Sequence, residues 1–183
     1  MIQDPRIDPR LARDLDAAEK NELEAYPDSL GFWTIGRGHK LPAPAPGKSW
    51  KGFTILPSVS DRYFVEDIVL ATTAAQKLPE WAALDTNARQ NALVELCFNM
   101  GPREWGTWTP TRTLMQQKNW QAVHAHLLVS LWASQVQPHK FVGGICERCH
   151  EPQTSIAHSF CKAIENGRAE RIANYFLNGS YPE

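Results

Sequence analysis

The sequence predicts an α+β fold, a small N-terminal β region followed by a mainly helical remainder. Three observations carry this expectation. A β-prone stretch, Phe32-Trp33-Thr34-Ile35, stands near the N-terminus between Gly31, Gly36 and Gly38, as in a tight hairpin. From about Ser60 onward the apolar residues recur with helical spacing. Between the two lies Pro42-Ala43-Pro44-Ala45-Pro46-Gly47, which suits neither a helix nor a central strand and reads as an exposed loop. The 183 residues are enough for one packed domain over 1–183, with a natural cleft between the β region and the helical lobe.

The elements follow in order. Asp8 can cap a first helix, Pro9 suits its first turn, and Asn21 can take the left-handed position that ends it. Leu11, Leu15 and Ala18 give that helix an apolar face and put Glu19 in its last turn. Beyond the hairpin and the proline loop, Phe53-Thr54-Ile55-Leu56 suits a third short strand. Tyr63, Phe64, Asp67, Ile68 and Ala71 mark a long helix, and Asn87 to Met100 a strongly apolar one stopped by Gly101-Pro102. Further helices are expected over Thr111–Lys118, Trp120–Trp132 and Arg168–Leu177, with no internal repeat.

Composition narrows the classes of function. A net charge of -1 with 21% charged residues gives no basic field of the kind that draws nucleic acid. The most apolar stretch, Ala92 to Met100, is short and broken by Glu95, so no stable membrane insertion is expected. The N-terminus has no apolar leader core, which implies synthesis in the cytoplasm.

Glu19 and Asp28 attract attention on chemical grounds. Glycoside hydrolysis needs one carboxylic acid to protonate the leaving oxygen and a second carboxylate on the other side of the sugar. A glutamate at the carbonyl end of a helix is helped toward its neutral form, while Asp28, in a turn after Tyr26-Pro27, can stay ionised. Acidic residues at helix ends and turns are nonetheless common, and spacing alone does not distinguish this pair.

The motif around them does. Glu19, then Tyr26-Pro27-Asp28, then Thr34-Ile35-Gly36-Arg37-Gly38-His39 resembles the signature of the phage lysozyme (endolysin) family. Phe98-Asn99-Met100-Gly101, Leu114 to Trp120, Trp132-Ala133-Ser134-Gln135 and Arg168-Ala169-Glu170-Arg171 resemble later helices of that family, in order, over roughly residues 8–137 and 168–179. The sequence departs from many relatives at Lys20, where they carry glycine. The resemblance implies a lysozyme-like fold and a muramidase that cuts peptidoglycan with inversion. It assigns the acid to Glu19 and the water to Asp28 and Thr34. It adds Arg168 as a partner that orients Glu19, and His39 with Asp67 as a structural pair. It also implies a monomer in the host cytoplasm that depends on a membrane-permeabilising holin to reach the wall and lyse the cell.

Residues 138–167 read as an insertion where the resemblance stops. They hold Cys146-x2-Cys149-x8-His158-x2-Cys161, three thiolates and an imidazole with the spacing of a closed structural zinc site for one ion. His150 competes as the imidazole, and one disulfide among the three cysteines is the alternative. Cys97 reads as a lone core thiol. His139, Lys140, Arg148 and Lys162 are balanced by Glu147, Glu151 and Glu165, which argues against a nucleic-acid knuckle. A full site has no place for an activated water, so catalysis is expected to need no cofactor.

Overall fold

The computed structural model describes residues 4–28, 31–130, 141–142, 145–146 and 167–181. Its contacts divide the chain into two compact units, Met1–Thr73 and Ala74–Glu183.

The first unit begins with α1, Pro9–Ala18, where the Asp8 side chain accepts hydrogen bonds from the Arg10 and Leu11 amides and Pro9 occupies the first turn. The helix stops at Ala18, one residue earlier than expected, with Glu19 extended at φ -105°. Asn21 is not left-handed; Lys118 alone among the described non-glycine residues has positive φ. Instead the Asn21 side chain accepts from Ser60 Oγ at 2.6 Å.

Three antiparallel strands follow, β1 (Glu22–Pro27), β2 (Trp33–Gly36) and β3 (His39–Lys40), in that order across the sheet. Tyr26 pairs with Thr34 and Thr34 with Lys40, while a bulge lies between Glu22 and Tyr26. Side chains alternate across the pleat, so Ala25 and Ile35 are buried on one face and Tyr26, Thr34 and Lys40 line the other. The expected strand over Phe53–Leu56 is a single bridge, Glu24 to Thr54, flanked by the Ala25–Phe53 and Ile55–Leu23 backbone bonds. Pro57 ends it by opening α2, Pro57–Gln76. Gly36, at φ +63°, closes β2 where a Cβ would stand 2.7 Å from Ser60 Oγ; only glycine fits so near α2.

The second unit is helical. A 3-10 turn, Pro79–Ala83, leads to α3 (Asn87–Met100), α4 (Pro102–Trp105), α5 (Thr109–Gln116), α6 (Trp120–Leu128) and α7 (Arg168–Asn178). The α3 range agrees with the sequence pattern, and Gly101 caps it at φ +83°. A two-stranded hairpin pairs β4 (Phe141–Val142) with β5 (Ile145–Cys146). Helix α7 packs on α6 and α3 through Ile172, Ala173 and Phe176, all wholly buried. Buried carboxylates lock this unit. Glu80 accepts from Trp105 Nε1 at 2.6 Å and from Arg112 at 2.9 Å, and Glu95 takes a two-pronged bond from Arg171 at 2.7 and 2.8 Å. Cys97 is the core thiol expected, its pKa pushed up to about 12 by burial. Among the described residues no helix is long and apolar enough to cross a membrane.

Candidate active site

Glu19, Asp28 and Thr34 all belong to the first unit, each fixed by a different element. Glu19 caps α1, its amide donating to the Leu15 carbonyl at 3.0 Å. Its half-buried carboxylate extends over the β2–β3 turn, with Oε2 3.7 Å from where a Cβ of Gly38 would stand. Gly38 has φ +87°, a left-handed conformation that favours glycine at the turn beneath the acid.

Asp28 follows β1 and closes the hairpin with Phe32. The Asp28 amide donates to the Phe32 carbonyl at 2.8 Å, and the Phe32 amide donates to Asp28 Oδ1 at 2.8 Å. An oxygen accepting a backbone amide is held in orientation. Thr34 is 3% exposed, and its hydroxyl donates to the same Phe32 carbonyl at 3.2 Å. The backbone of one residue, Phe32, therefore ties Asp28 to Thr34. With its proton committed to that carbonyl, the Thr34 oxygen keeps lone pairs for a water O–H.

Tyr26 completes the group and was not foreseen as functional. It sits opposite Thr34 in the register, and its phenol pKa is raised, chiefly by burial and then by the charges of Glu19, Glu22 and Asp28. One side chain thus senses both expected catalytic carboxylates. The signal was present in the sequence as the two-residue step from Tyr26 to Asp28, which puts both on one face of an extended chain.

The expected supporting pair is also formed. His39 Nδ1 lies 2.9 Å from Asp67 Oδ2, joining β3 to α2, and the imidazole stacks on Tyr63 with ring centroids 4.1 Å apart. Burial raises the Asp67 pKa against the opposing pull of His39. Arg37 makes a second tie, bonding Asp16 at 2.6 Å and Asp61 at 2.8 Å, so the sheet is stapled to α1 and α2.

Arg168 opens α7 in the second unit, buried, with Nε 3.8 Å from Glu95 Oε2. Neighbouring Arg171 carries the shorter bonds to that glutamate. Of the expected zinc ligands, Cys146 belongs by its backbone to β5, and Cys149, His158 and Cys161 lie outside the described residues. Among the described residues no group of three or more His, Cys, Asp or Glu could hold a metal.

A helix-capping glutamate and a turn aspartate beside a buried threonine, on a three-stranded hairpin sheet, define a lysozyme-type arrangement. Comparison with known proteins agrees. The phage lysozyme family model matches residues 16–151. The chain belongs to the phage lysozyme family, a family of glycoside hydrolases. It is 27% identical over 123 residues to the peptidoglycan hydrolase gp36 of Pseudomonas phage phiKMV, covering 67% of this chain and 13% of that protein. It is 25% identical over 137 residues to the probable T4-type lysozyme 1 of Dictyostelium discoideum, covering 64% of this chain and 81% of that protein.

Proposed function

We propose that this chain is an endolysin that hydrolyses the β-1,4 bond between N-acetylmuramic acid and N-acetylglucosamine in peptidoglycan, with inversion. The observation that carries the reading is the Phe32 peptide, which joins Asp28 and Thr34 in the unit where Glu19 lies over Gly38. Family membership and the hydrolase relative supply the substrate class.

The proposed chemistry uses those positions. Glu19, protonated, gives its proton to the glycosidic oxygen as the bond to the anomeric carbon breaks. A water held by Thr34 attacks that carbon from the opposite side, and Asp28 accepts the proton it sheds. The new hydroxyl then points opposite to the bond that was cut. Arg168 is carried as the residue that supports the acid, on the strength of the family motif. Dependence on a holin, lysis of the host from its cytoplasm and a monomeric state belong to the same proposal.

Residues 138–167 are proposed to hold one structural zinc through Cys146, Cys149, His158 and Cys161. The support is the ligand spacing and the scarcity of apolar residues that could fold such a segment unaided.

Proton NMR of soluble peptidoglycan fragments during the first turnovers tests the reaction. The expected product carries a new α-configured reducing end on N-acetylmuramic acid. A β-configured end, or a glycosyl adduct on Asp28, would overturn the mechanism.

A further inference from the structure

The face of the sheet that bears Thr34 carries a cation that the proposed chemistry does not use. Tyr26, Thr34 and Lys40 are direct partners in one row across β1, β2 and β3. Such partners stand about 4.5–5.5 Å apart at their Cβ atoms. The Lys40 ammonium lies 4.8 Å from the centroid of the Phe32 ring, a cation–π contact that holds the long side chain beside the row. Phe32 is 54% exposed, and its backbone bonds both Asp28 and Thr34. The ring, and the ammonium seated on it, therefore belong to the residue whose backbone holds Asp28 and Thr34.

Along residues 19–28 carboxylates outnumber cations, Lys20 being the one basic residue there. Glu19, Glu22, Glu24 and Asp28 all lie on or beside this small sheet. An acidic glycan approaching it meets net repulsion unless a cation answers its charge. Among the described residues Lys40 forms no ion pair, and its partner is an aromatic face. An exposed ammonium can exchange its hydration for an anionic acceptor, while the exposed ring offers a flat apolar surface for the sugar or amide next to it.

We propose that Lys40, seated on Phe32, is a specificity-determining residue that binds a carboxylate of the peptide substituents on the glycan. It would thereby favour acidic peptidoglycan over neutral amino-sugar polymers. This rests on the proposed glycan hydrolysis and adds a preference to it.

Two soluble substrates separate the possibilities: glycan strands bearing peptide stems with free carboxylates, and the same strands with those carboxyls converted to methylamides. Wild type is expected to show a lower KM on the acidic strands. Lys40→Ala should raise that KM about two- to fivefold, the size of an exposed ion pair, with kcat little changed. The KM ratio between the two substrates should then collapse toward one, while Lys40→Arg preserves it. Added salt should narrow the wild-type preference. A ratio unchanged by Lys40→Ala would overturn the inference while leaving hydrolysis intact. If wild type releases no reducing ends from either substrate, the proposed hydrolysis itself fails. Binding of the two strands to wild type and Lys40→Ala then reads the carboxylate preference on its own, and equal affinities would overturn it.

Discussion

Replacing Thr34 with valine separates a catalytic role from a structural one. Thr34 is 3% exposed, and valine fills nearly the same volume, so no cavity opens. The substitution removes one hydrogen bond, the 3.2 Å contact to the Phe32 carbonyl. That carbonyl keeps the Asp28 amide at 2.8 Å and is not left unsatisfied. The stability cost is therefore about 0.5–1 kcal/mol, that of one modest bond. Loss of the oxygen that holds the attacking water removes an interaction worth about 1.5–3 kcal/mol as the water becomes a nucleophile. That corresponds to about a ten- to hundredfold fall in kcat. Thr34→Ser should recover most of it. Urea unfolding and initial rates of reducing-end release, measured on the same preparations, give both quantities. A Thr34→Val enzyme with near wild-type kcat would refute the water-holding role, and one destabilised by more than about 2 kcal/mol would show that the residue acts mainly through packing.

Two further outcomes follow from the structure and sequence. Burial raises the Asp67 pKa, so the folded state holds a proton longer than the unfolded chain does. That contribution is present below the ordinary carboxylate pKa and is lost as pH rises through the folded value. Wild type should thus lose stability relative to Asp67→Asn as pH rises from about 3 to neutrality, in paired thermal melts; a gap moving the other way would contradict this. For the insertion, protein purified without added zinc should carry one zinc per chain by mass spectrometry, and Cys149→Ser should lose it. A metal-free, fully active wild type would end the zinc proposal.

Much of this was legible from residue order. Helix α3 was readable because its apolar run is long and closed by Gly101-Pro102, a stop that needs no tertiary context. The first helix was readable from Asp8-Pro9, but its end was not. Asn21 looks like a left-handed terminator in isolation; in the fold its amide is claimed by Ser60, thirty-nine residues away. Strand β1 was hidden because Glu-Leu-Glu-Ala-Tyr-Pro lacks β-branched residues, and its pairing with β2 decides its conformation. The supposed strand at Phe53 failed for the opposite reason, having strand-like residues with room for only one bridge before Pro57. At the site, the resemblance to the phage lysozyme signature pointed to Glu19, Asp28 and Thr34, whereas the Phe32 backbone that links the last two is a feature no motif encodes. Arg168 beside buried Glu95 was equally invisible, since a glutamate inside an apolar run gives no sign of which distant arginine will meet it.

The central claim is that a glutamate ending α1 supplies the proton for glycan cleavage. Purified peptidoglycan incubated with wild type and with Glu19→Gln, with reducing ends counted over time, tests it most directly. The amide has the shape of the acid but no proton to donate, so wild type should release N-acetylmuramic acid reducing ends while Glu19→Gln, melting at the same temperature, releases almost none. Cleavage by Glu19→Gln at a near wild-type rate would contradict the account.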